Sequence, residues 1–404
     1  MISSKTKASV LKKWLCVILV LVFAALPLST AAGAAGSTAA KTNYPYVFVA
    51  GYAGWGQYDK MNDSFQYWGM CNGNLLKYLN SQGFECYAAS VDPVGSAWDR
   101  ACELYAQMTG TVVDYGEVHS ALNKHSRFGT DYSKNPLFTG WGSAKKVNFI
   151  AHSFGGATVR LLAELLANGS AQEVNGTTSG SVSGLFTGGK ADWIYSITTL
   201  ASPHNGTTMT DLSKPVAFLL PKDGDKIVGV SSESSVAIIN YLKNITKLFT
   251  NGVGTDTGVY DLSLDGAAKL NTQLSVKSNI YYFSVPTDSS TSVFLSKNRI
   301  ANPLLTDAVL WPTAAYMGST TGVTKGGISY DKSWFNNDGI VNTISCTAPK
   351  NEPQKAFDAN NIKPGIWNVM DTFKGDHLSI TGGLMHKVDV NAFYVAQMKL
   401  INSL

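Results

Sequence analysis

Ser153 is the residue of this 404-residue chain whose surroundings most favour chemistry. It follows an apolar stretch, residues 147–151, that predicts a β-strand, and it precedes a stretch with helical apolar spacing, residues 157–166. Ala151 and Gly155, two positions before and after the serine, are small enough for a strand and a helix to meet in a sharp turn. The pattern predicts a nucleophile elbow with an exposed serine hydroxyl. Because the pattern is short, a buried strand ending in an ordinary Ser-Gly turn is the alternative.

A serine hydroxyl becomes a nucleophile only when a histidine takes its proton and a carboxylate orients that histidine. After an elbow of this kind the acid and then the histidine follow along the chain. His377, in a polar turn late in the sequence, fits better than His386, which reads as a surface residue. Asp338 is the best-placed acid, although its Asp-Gly pair also suits a plain turn. Asp371 and Asp376 remain rivals, and Asp376 adjoins the histidine whose ring it would have to reach.

The tetrahedral intermediate formed by serine attack carries an oxyanion that needs two preorganised amide donors. The backbone N–H of Phe154, directly after the serine, is one candidate. The backbone N–H of Tyr52, in the glycine-rich turn after the first apolar stretch, is the other. Neither role requires a particular side chain. His152 adjoins the serine and is expected to point elsewhere.

Two further histidines, His119 and His125, indicate a metal site. Their six-residue separation does not place them on one face of a helix, so the chain between them must curl if both bind one ion. Two imidazoles with two carboxylates would suit tetrahedral zinc. A pair of solvated loop histidines is the simpler interpretation of the same spacing.

The elements that must position these residues alternate between strands and helices. Apolar strands are predicted at residues 46–50, 147–151, 193–200 and 280–285, separated by stretches with helical spacing. This alternation predicts an α/β fold in which a mostly parallel sheet carries helices on both faces. Residues 169–190 are rich in Gly, Ser and Thr and predict a surface loop.

The stretch from 207 to 257 contains more apolar residues than a loop should. Between residues 236 and 249 they fall at helical spacing, with Asn and Lys on the opposite face. Such a face either packs on the core or belongs to a cap or lid, spanning about 205–260, whose apolar surface meets a lipid substrate.

The first forty residues are unlike the rest of the chain. Four lysines precede an apolar run from residue 14 to residue 28, and small residues follow, which is the layout of a secretory signal peptide. The apolar run is shorter than the ~20 residues of a membrane span, although an uncleaved anchor is an alternative. We therefore expect a secreted protein without a membrane span, whose catalytic domain comprises residues 41–404.

Charge and cysteine content restrict the class of protein further. Hydrophobic residues make up 45% and charged residues 15% of the chain, as in globular proteins. Without residues 1–40 the formal charge falls from +4 to 0, so no basic excess remains for binding nucleic acid. Cys71, Cys86, Cys102 and Cys346 are too few for a disulfide scaffold in so large a domain, and their pairing cannot be read from spacing.

Several long motifs are distributed over nearly all of the chain after the leader. They are Gly54-Trp55-Gly56, Trp98-Asp99-Arg100-Ala101-Cys102-Glu103, Val113-Asp114-Tyr115-Gly116, Arg127-Phe128-Gly129, the elbow, Thr198-Thr199-Leu200, Tyr260-Asp261-Leu262-Ser263, Asn337-Asp338-Gly339-Ile340-Val341-Asn342 and Asp376-His377-Leu378. In these motifs the chain resembles the secreted bacterial lipases of the thermophilic bacillar and staphylococcal type.

The resemblance implies an α/β-hydrolase fold with Ser153 as the nucleophile, Asp338 as the orienting acid and His377 as the general base. The implied substrates are carboxylic esters with acyl chains, including triacylglycerols.

The resemblance also implies a zinc site that ties an inserted segment to the core. Its ligands would be Asp99, His119, His125 and Asp261. Four protein ligands leave zinc no open position for catalysis, so the metal would be structural.

Three departures from the family pattern affect what is expected. Ala50-Gly51-Tyr52 stands where the family has a His-Gly pair before the oxyanion residue. Ser379 and Leu384 occupy the places of the family's acidic calcium ligands, so calcium is not expected. The region between Thr207 and Tyr260 is shorter than the family's lid, which predicts an open active site that accepts bulky or polymeric esters.

The sequence therefore predicts a secreted, monomeric, zinc-containing lipase or carboxylesterase. It would act through an acyl-enzyme on esters at an oil–water interface or a polymer surface. An amidase or peptidase on the same scaffold, and a non-catalytic surface binding protein, are the alternatives.

Overall fold

Seven strands, each parallel to its neighbours, form the central sheet of this computed structural model, which describes residues 40–211 and 254–404. Their order across the sheet is β13-β14-β7-β6-β5-β1-β2. The strands are β1 (Tyr46–Val49), β2 (Cys86–Ala89), β5 (Val147–His152), β6 (Ile194–Leu200), β7 (Tyr281–Val285), β13 (Gln354–Ala356) and β14 (Trp367–Val369). The predicted α/β class is confirmed, and all four predicted strands belong to this sheet.

Eight shorter strands form four two-stranded ribbons outside the sheet. They are β3 (Val112–Asp114) with β4 (Phe128–Asp131), β9 (Ser290–Ser292) with β10 (Arg299–Ala301), β11 (Gly322–Val323) with β12 (Ser329–Tyr330), and β8 (Thr287–Asp288) with β15 (Phe373–Lys374).

Helices cover both faces of the sheet. In the described residues they are α1 (Met61–Ser64), α2 (Leu75–Ser81), α3 (Ala97–Thr109), α4 (Glu117–Asn123), α5 (Gly155–Asn168), α6 (Ala171–Gly176), α7 (Gly258–Leu262), α8 (Leu264–Asn271), α9 (Trp311–Met317) and α10 (Asn391–Asn402). No helix of residues 40–211 and 254–404 is long and apolar enough to cross a membrane.

Alternation along β1 divides the core into two layers. Val47 and Val49 face the layer that contains the buried side chains of α3 and α5. Tyr46 and Phe48 face the opposite layer, with those of α2 and α10. Each layer is thus a helix-covered sheet face, as strands with both faces buried require.

The predicted loop at residues 169–190 contains a short helix, α6. Ser170 caps it by accepting a hydrogen bond from the backbone N–H of Glu173. The Ser-x-x-Glu spacing is a helix-start signal that the loop prediction overlooked. The carboxylate of Glu173 is buried and accepts from the backbone N–H groups of Val118 and His119, so α6 holds the first turn of α4, the helix that carries one of the candidate metal ligands.

Some predictions fall outside the described residues. The leader lies there apart from its last residue, and so does the apolar helical face at 236–249, together with residues 212–253 of the proposed lid. Cys86, Cys102 and Cys346 lie in the described part of the chain, where each is a free thiol.

Candidate active site and metal centre

The elbow forms where β5 runs into α5. Ser153 has a φ of 54°, in the left-handed region that non-glycine residues rarely adopt. Its backbone N–H donates to the carbonyl oxygen of Leu200, at the end of the neighbouring strand, over 2.8 Å. A Cβ atom added at Gly155 would lie 2.4 Å from the carbonyl oxygen of Val49. The small residue after the serine is therefore required by the close approach of helix and strand, as the elbow motif predicts.

Asp338 and His377 form a hydrogen-bonded pair. The distance from His377 Nδ1 to Asp338 Oδ2 is 2.9 Å, and both side chains are buried. The other carboxylate oxygen accepts from the backbone N–H groups of Ile340 and Val341, and the Thr287 hydroxyl donates to Oδ2. Donors on both oxygens compensate for burial of the carboxyl group. With Nδ1 held by the carboxylate, Nε2 is the ring nitrogen left for proton transfer.

The rival carboxyl groups have other partners. Asp376 accepts from the backbone N–H of Asp307 and from both the N–H and the hydroxyl of Ser379, and burial raises its pKa. Asp371 is exposed. His386, the alternative histidine, has its Nδ1 2.6 Å from Asp307 Oδ1 and is partly exposed. The structure thus brings Asp338, rather than either rival, to His377.

His152 links the elbow to the loop of the candidate base. Its Nε2 lies 2.9 Å from the carbonyl oxygen of His377, and the two imidazole rings are 4.6 Å apart. Since Ser153 is the next residue, the loop of His377 is held against the strand end that presents the serine. The sequence predicts only that His152 points elsewhere, and no pattern in it predicts this contact with the loop of His377.

The two candidate oxyanion donors lie in turns close to Ser153. A Cβ atom added at Gly51 would lie 2.7 Å from the Cβ atom of Ser153, so the turn that contains the half-buried Tyr52 passes close beside the nucleophile. The backbone N–H of Phe154 donates to no acceptor within residues 40–211 and 254–404. The backbone N–H groups of Tyr52 and Phe154 therefore remain the two candidate donors to the oxyanion.

Arg100 anchors the turn of Tyr52 from inside the protein. Its fully buried guanidinium group donates from Nη2 to the carbonyl oxygen of Ala50 over 2.5 Å and from Nη1 to that of Gly51 over 3.3 Å. The same group lies 4.9 Å from the centre of the Phe154 ring. One side chain therefore contacts both turns that would supply the oxyanion donors. The motif that contains Arg100 was noticed in the sequence, but its role was not.

Four side chains converge at the candidate metal centre: Asp99 from α3, His119 from α4, His125 from the loop after it, and Asp256. The His119 Nε2 atom lies 3.1 Å from Asp99 Oδ1 and 3.3 Å from Asp256 Oδ2. The His125 Nε2 atom lies 3.9 Å and 3.4 Å from the same two oxygens. A tetrahedral zinc ion with bonds of about 2.0–2.1 Å would separate its ligand atoms by roughly 3.3 Å.

The second observation that fits a cation is an unpartnered nitrogen. His125 Nε2 is buried and has no hydrogen-bond partner among the described residues, while its Nδ1 lies 2.9 Å from the carbonyl oxygen of Ser126. A ring N–H that donates to a carbonyl leaves the opposite nitrogen's lone pair free to bind a metal. Lys124 has a left-handed φ of 63°, which supplies the curl that the six-residue spacing requires.

Asp261 does not join this cluster, contrary to the ligand set that the family resemblance implied. Its Oδ2 accepts from the backbone N–H of Ala97, at the start of α3, over 2.8 Å. Burial, opposed by that hydrogen bond and assisted by Asp256, raises the pKa of Asp261 to about 7. Asp256, five residues earlier, takes its place as the fourth candidate ligand.

A smaller group could also hold an ion. Asp307, Asp376 and His386 place one ligand atom each within 4.8 Å of one another. Several of these atoms already make hydrogen bonds within the protein. Asp307, for example, also accepts from the backbone N–H of Met385. Neither Ser379 nor Leu384, which stand at the family's calcium positions, belongs to the group.

The fold and site geometry agree with the comparison to known proteins. The family described as "Lipase-like, C-terminal domain" matches residues 42–220 and 223–394. The chain belongs to this lipase-like family. Lipase 2 of Staphylococcus aureus is 34% identical over 364 residues, which are 84% of this chain and 50% of that protein. The lipase of Staphylococcus epidermidis is 32% identical over 365 residues, 85% of this chain and 50% of that protein. The chain thus spans about half the length of the curated relatives it matches.

Solved structures extend the likeness of this lipase-like chain to its fold. EstA from Clostridium botulinum is 32% identical with a TM-score of 0.78, covering 91% of this chain and 89% of that one. Staphylococcus hyicus lipase is 30% identical with a TM-score of 0.74, covering 90% and 96%. Lipase 1 from Pelosinus fermentans is 34% identical with a TM-score of 0.68, covering 88% and 97%. The resemblance drawn from the motifs and the α/β-hydrolase fold predicted with it are confirmed.

Proposed function

We propose that this lipase-like chain hydrolyses carboxylic esters, including triacylglycerols, through an acyl-enzyme. The observation that carries the proposal is the buried Asp338–His377 pair. Its loop contacts His152, the residue before a serine whose backbone is left-handed at a strand-to-helix turn. Each of the three residues then has a defined task. A serine hydroxyl without an oriented histidine would be only a weak nucleophile.

The reaction would proceed in two halves. The Ser153 oxygen attacks the ester carbonyl carbon while His377 Nε2 takes the hydroxyl proton, and the N–H groups of Phe154 and Tyr52 donate to the resulting oxyanion. The C–O bond to the alcohol then breaks, and the alcohol leaves with the proton from His377. Water, deprotonated by the same nitrogen, attacks the acyl-enzyme and releases the acid with regeneration of Ser153.

We further propose that Asp99, His119, His125 and Asp256 hold zinc. The bound ion would supply a positive charge that joins α3, α4 and the segment before α7, with no open coordination position for substrate. Secretion after loss of residues 1–40, and action as a monomer at an oil–water interface or polymer surface, complete the proposal. The short region between 207 and 260 favours an open site and acceptance of bulky esters. Equal rates below and above the solubility limit of the ester would support the open site, and strong interfacial activation would argue against it.

The test is hydrolysis of p-nitrophenyl esters with short and long acyl chains. The wild type should turn over both, and Ser153→Ala should lose essentially all turnover while keeping its thermal stability. Ser81→Ala, at an exposed serine of α2, is the matched control and should keep full activity.

A serine-reactive phosphonate probe separates the alternatives. Labelling of the wild type but not of Ser153→Ala, together with ester turnover, supports the proposal. Labelling with turnover of amides and not of esters favours an amidase. A wild type that neither turns over esters nor takes up the probe would be a binding protein, and the proposal would fail.

A further inference from the structure

A line of buried polar groups connects the turn of Tyr52 to the loop of His377. The backbone N–H of Gly51 lies 3.0 Å from the Tyr67 hydroxyl oxygen. That hydroxyl lies 2.5 Å from His152 Nδ1, and His152 Nε2 lies 2.9 Å from the carbonyl oxygen of His377. The Tyr67 and His152 side chains are 3% and 1% exposed, so water has little access to the line.

The hydrogens along this line can be arranged in only one way that satisfies every group. The Gly51 N–H can only donate, so the Tyr67 oxygen accepts from it and sends its own proton to His152 Nδ1. Nδ1 must then be unprotonated. Because the carbonyl oxygen of His377 can only accept, His152 Nε2 must carry the ring proton.

A neutral His152 agrees with its surroundings. Burial and the neighbouring His377 lower the pKa of His152 well below its usual value. Burial raises the pKa of the Tyr67 hydroxyl, so that its proton stays in place. Neither side chain is therefore suited to take up or release a proton during a reaction.

We propose that Tyr67 and His152 are positioning residues, which set the separation between the amide turn that would bind the oxyanion and the loop of the catalytic histidine. The inference rests on the proposed function. Each end of the line lies in a residue that acts or in its neighbour. Gly51 precedes Tyr52, whose N–H would bind the oxyanion, and the His377 carbonyl belongs to the residue whose ring would move the proton.

The role differs from packing alone. Trp68 packs against His152 at 6.4 Å between ring centres, and Trp55 packs against Tyr67 at 5.3 Å, so both side chains also contribute to the core. A purely structural pair would affect stability when altered and leave turnover per folded molecule unchanged. A positioning pair would affect turnover, since a misplacement of about 1 Å at a catalytic group costs on the order of 10²-fold.

Tyr67→Phe is the decisive variant because it keeps the ring and removes only the hydroxyl. We expect kcat on a soluble p-nitrophenyl ester to fall about 10- to 100-fold with a much smaller change in KM. Tyr46→Phe is the matched control, because its side chain is equally buried. Its hydroxyl oxygen lies 2.6 Å from Asn402 Oδ1 and 3.0 Å from the Met398 carbonyl oxygen and contacts neither end of the line. Equal losses of stability in the two variants with a loss of kcat only in Tyr67→Phe would support positioning. An unchanged kcat in Tyr67→Phe, or the same fall in both variants, would overturn it.

Substitution at His152 adds a graded comparison. His152→Gln can still donate an N–H towards the His377 carbonyl oxygen, whereas His152→Ala cannot. We expect the glutamine variant to keep more kcat than the alanine variant at matched folded fraction. Equal activity of the two variants would count against the proposal.

The proton arrangement can be measured without any catalysis. In ¹⁵N-histidine spectra of the wild type, with the His152 signals assigned by their loss in His152→Gln, Nε2 should be protonated and Nδ1 bare from pH 5 to 9. The opposite tautomer, or an imidazolium in this range, would overturn the arrangement. A wild type inactive on esters that nevertheless shows this tautomer would defeat the proposed function and leave the hydrogen-bonded line intact.

Discussion

The pair Asp338–His377 and the cluster of Asp99, His119, His125 and Asp256 use the same two side-chain types in opposite ways. At the pair, both carboxylate oxygens accept protein hydrogen bonds. One imidazole nitrogen is held by the carboxylate, and the other has no hydrogen-bond partner among residues 40–211 and 254–404. At the cluster, carboxylate oxygens face imidazole nitrogens at 3.1–3.9 Å, and one buried nitrogen makes no hydrogen bond within the described chain. The first arrangement is complete with protein atoms alone. The second places several lone pairs close together, which is an arrangement that suits a bound cation.

The two regions also differ in what holds them. The pair stands on loops at the sheet, beside the end of β5, and is almost wholly buried. The cluster joins two helices and two non-helical segments and keeps its side chains 14–29% exposed. We therefore expect changes at the pair to affect chemistry without affecting metal content, and changes at the cluster to affect stability first.

The largest expected effect concerns the pair. Asp338→Asn keeps the shape of the side chain but stabilises the wrong histidine tautomer, so ester turnover should fall about 10⁴-fold. Metal content measured on the same preparation should stay at the wild-type level. Simultaneous loss of metal, or turnover within tenfold of wild type, would contradict the separation of the two regions.

The next effect distinguishes Asp256 from Asp261 at the cluster. Asp256→Asn should lose zinc together with the stability that the ion supplies, about 4 kcal/mol where free zinc exceeds its dissociation constant 1,000-fold. Asp261→Asn is the matched control, because an amide oxygen can still accept from the Ala97 N–H, and it should retain zinc. Metal analysis and thermal unfolding of both variants test this, and zinc loss in Asp261→Asn alone would restore the ligand set that the family resemblance implied.

The smallest effect is a pH dependence confined to the metal-free protein. Burial alone would lower the pKa of His119, but hydrogen bonds to Asp256 and Asp99 raise it from 6.5 to about 9. The folded state then binds the proton more tightly than the unfolded state. The stability gained is fully present below pH 6.5 and is lost as the pH rises through 9.

Zinc would displace that proton, so the metal-loaded protein should lack this loss. Unfolding midpoints with chelator and with added zinc, compared between pH 6.5 and 9.5, should therefore diverge as the pH rises. Curves that stay parallel would show that His119 does not lose a proton to the ion. Groups common to both forms, such as Glu103, whose pKa burial raises to about 7, cancel in the comparison.

Local patterns explain why much of the architecture could be predicted from the sequence. The sheet strands are apolar runs bounded by polar turns, and the elbow is a steric requirement confined to Ala151, Ser153 and Gly155. His377 and Asp338 were separated from their rivals chiefly by the family motifs. Chain order and turn chemistry alone left Asp371, Asp376 and His386 open.

The parts that the sequence missed depend on contacts between distant segments. Asp256 and Asp261 lie five residues apart, and only the course of the chain into α7 decides that one carboxylate turns to the histidines and the other to the start of α3. Tyr67 and His152 are 85 residues apart and His152 and His377 are 225 apart. No local sequence pattern predicts such a long-range hydrogen bond, because each residue could equally well be read as an ordinary core residue.

Helix α3 carries Asp99 and Arg100 at adjacent positions, one turned to the candidate metal centre and the other to the carbonyl groups of Ala50 and Gly51. Substitutions in this turn of α3 would therefore affect both thermal stability and turnover. A library that varies α3 to improve one property would alter the other. For an engineer, residues 96–100 are best left as they are.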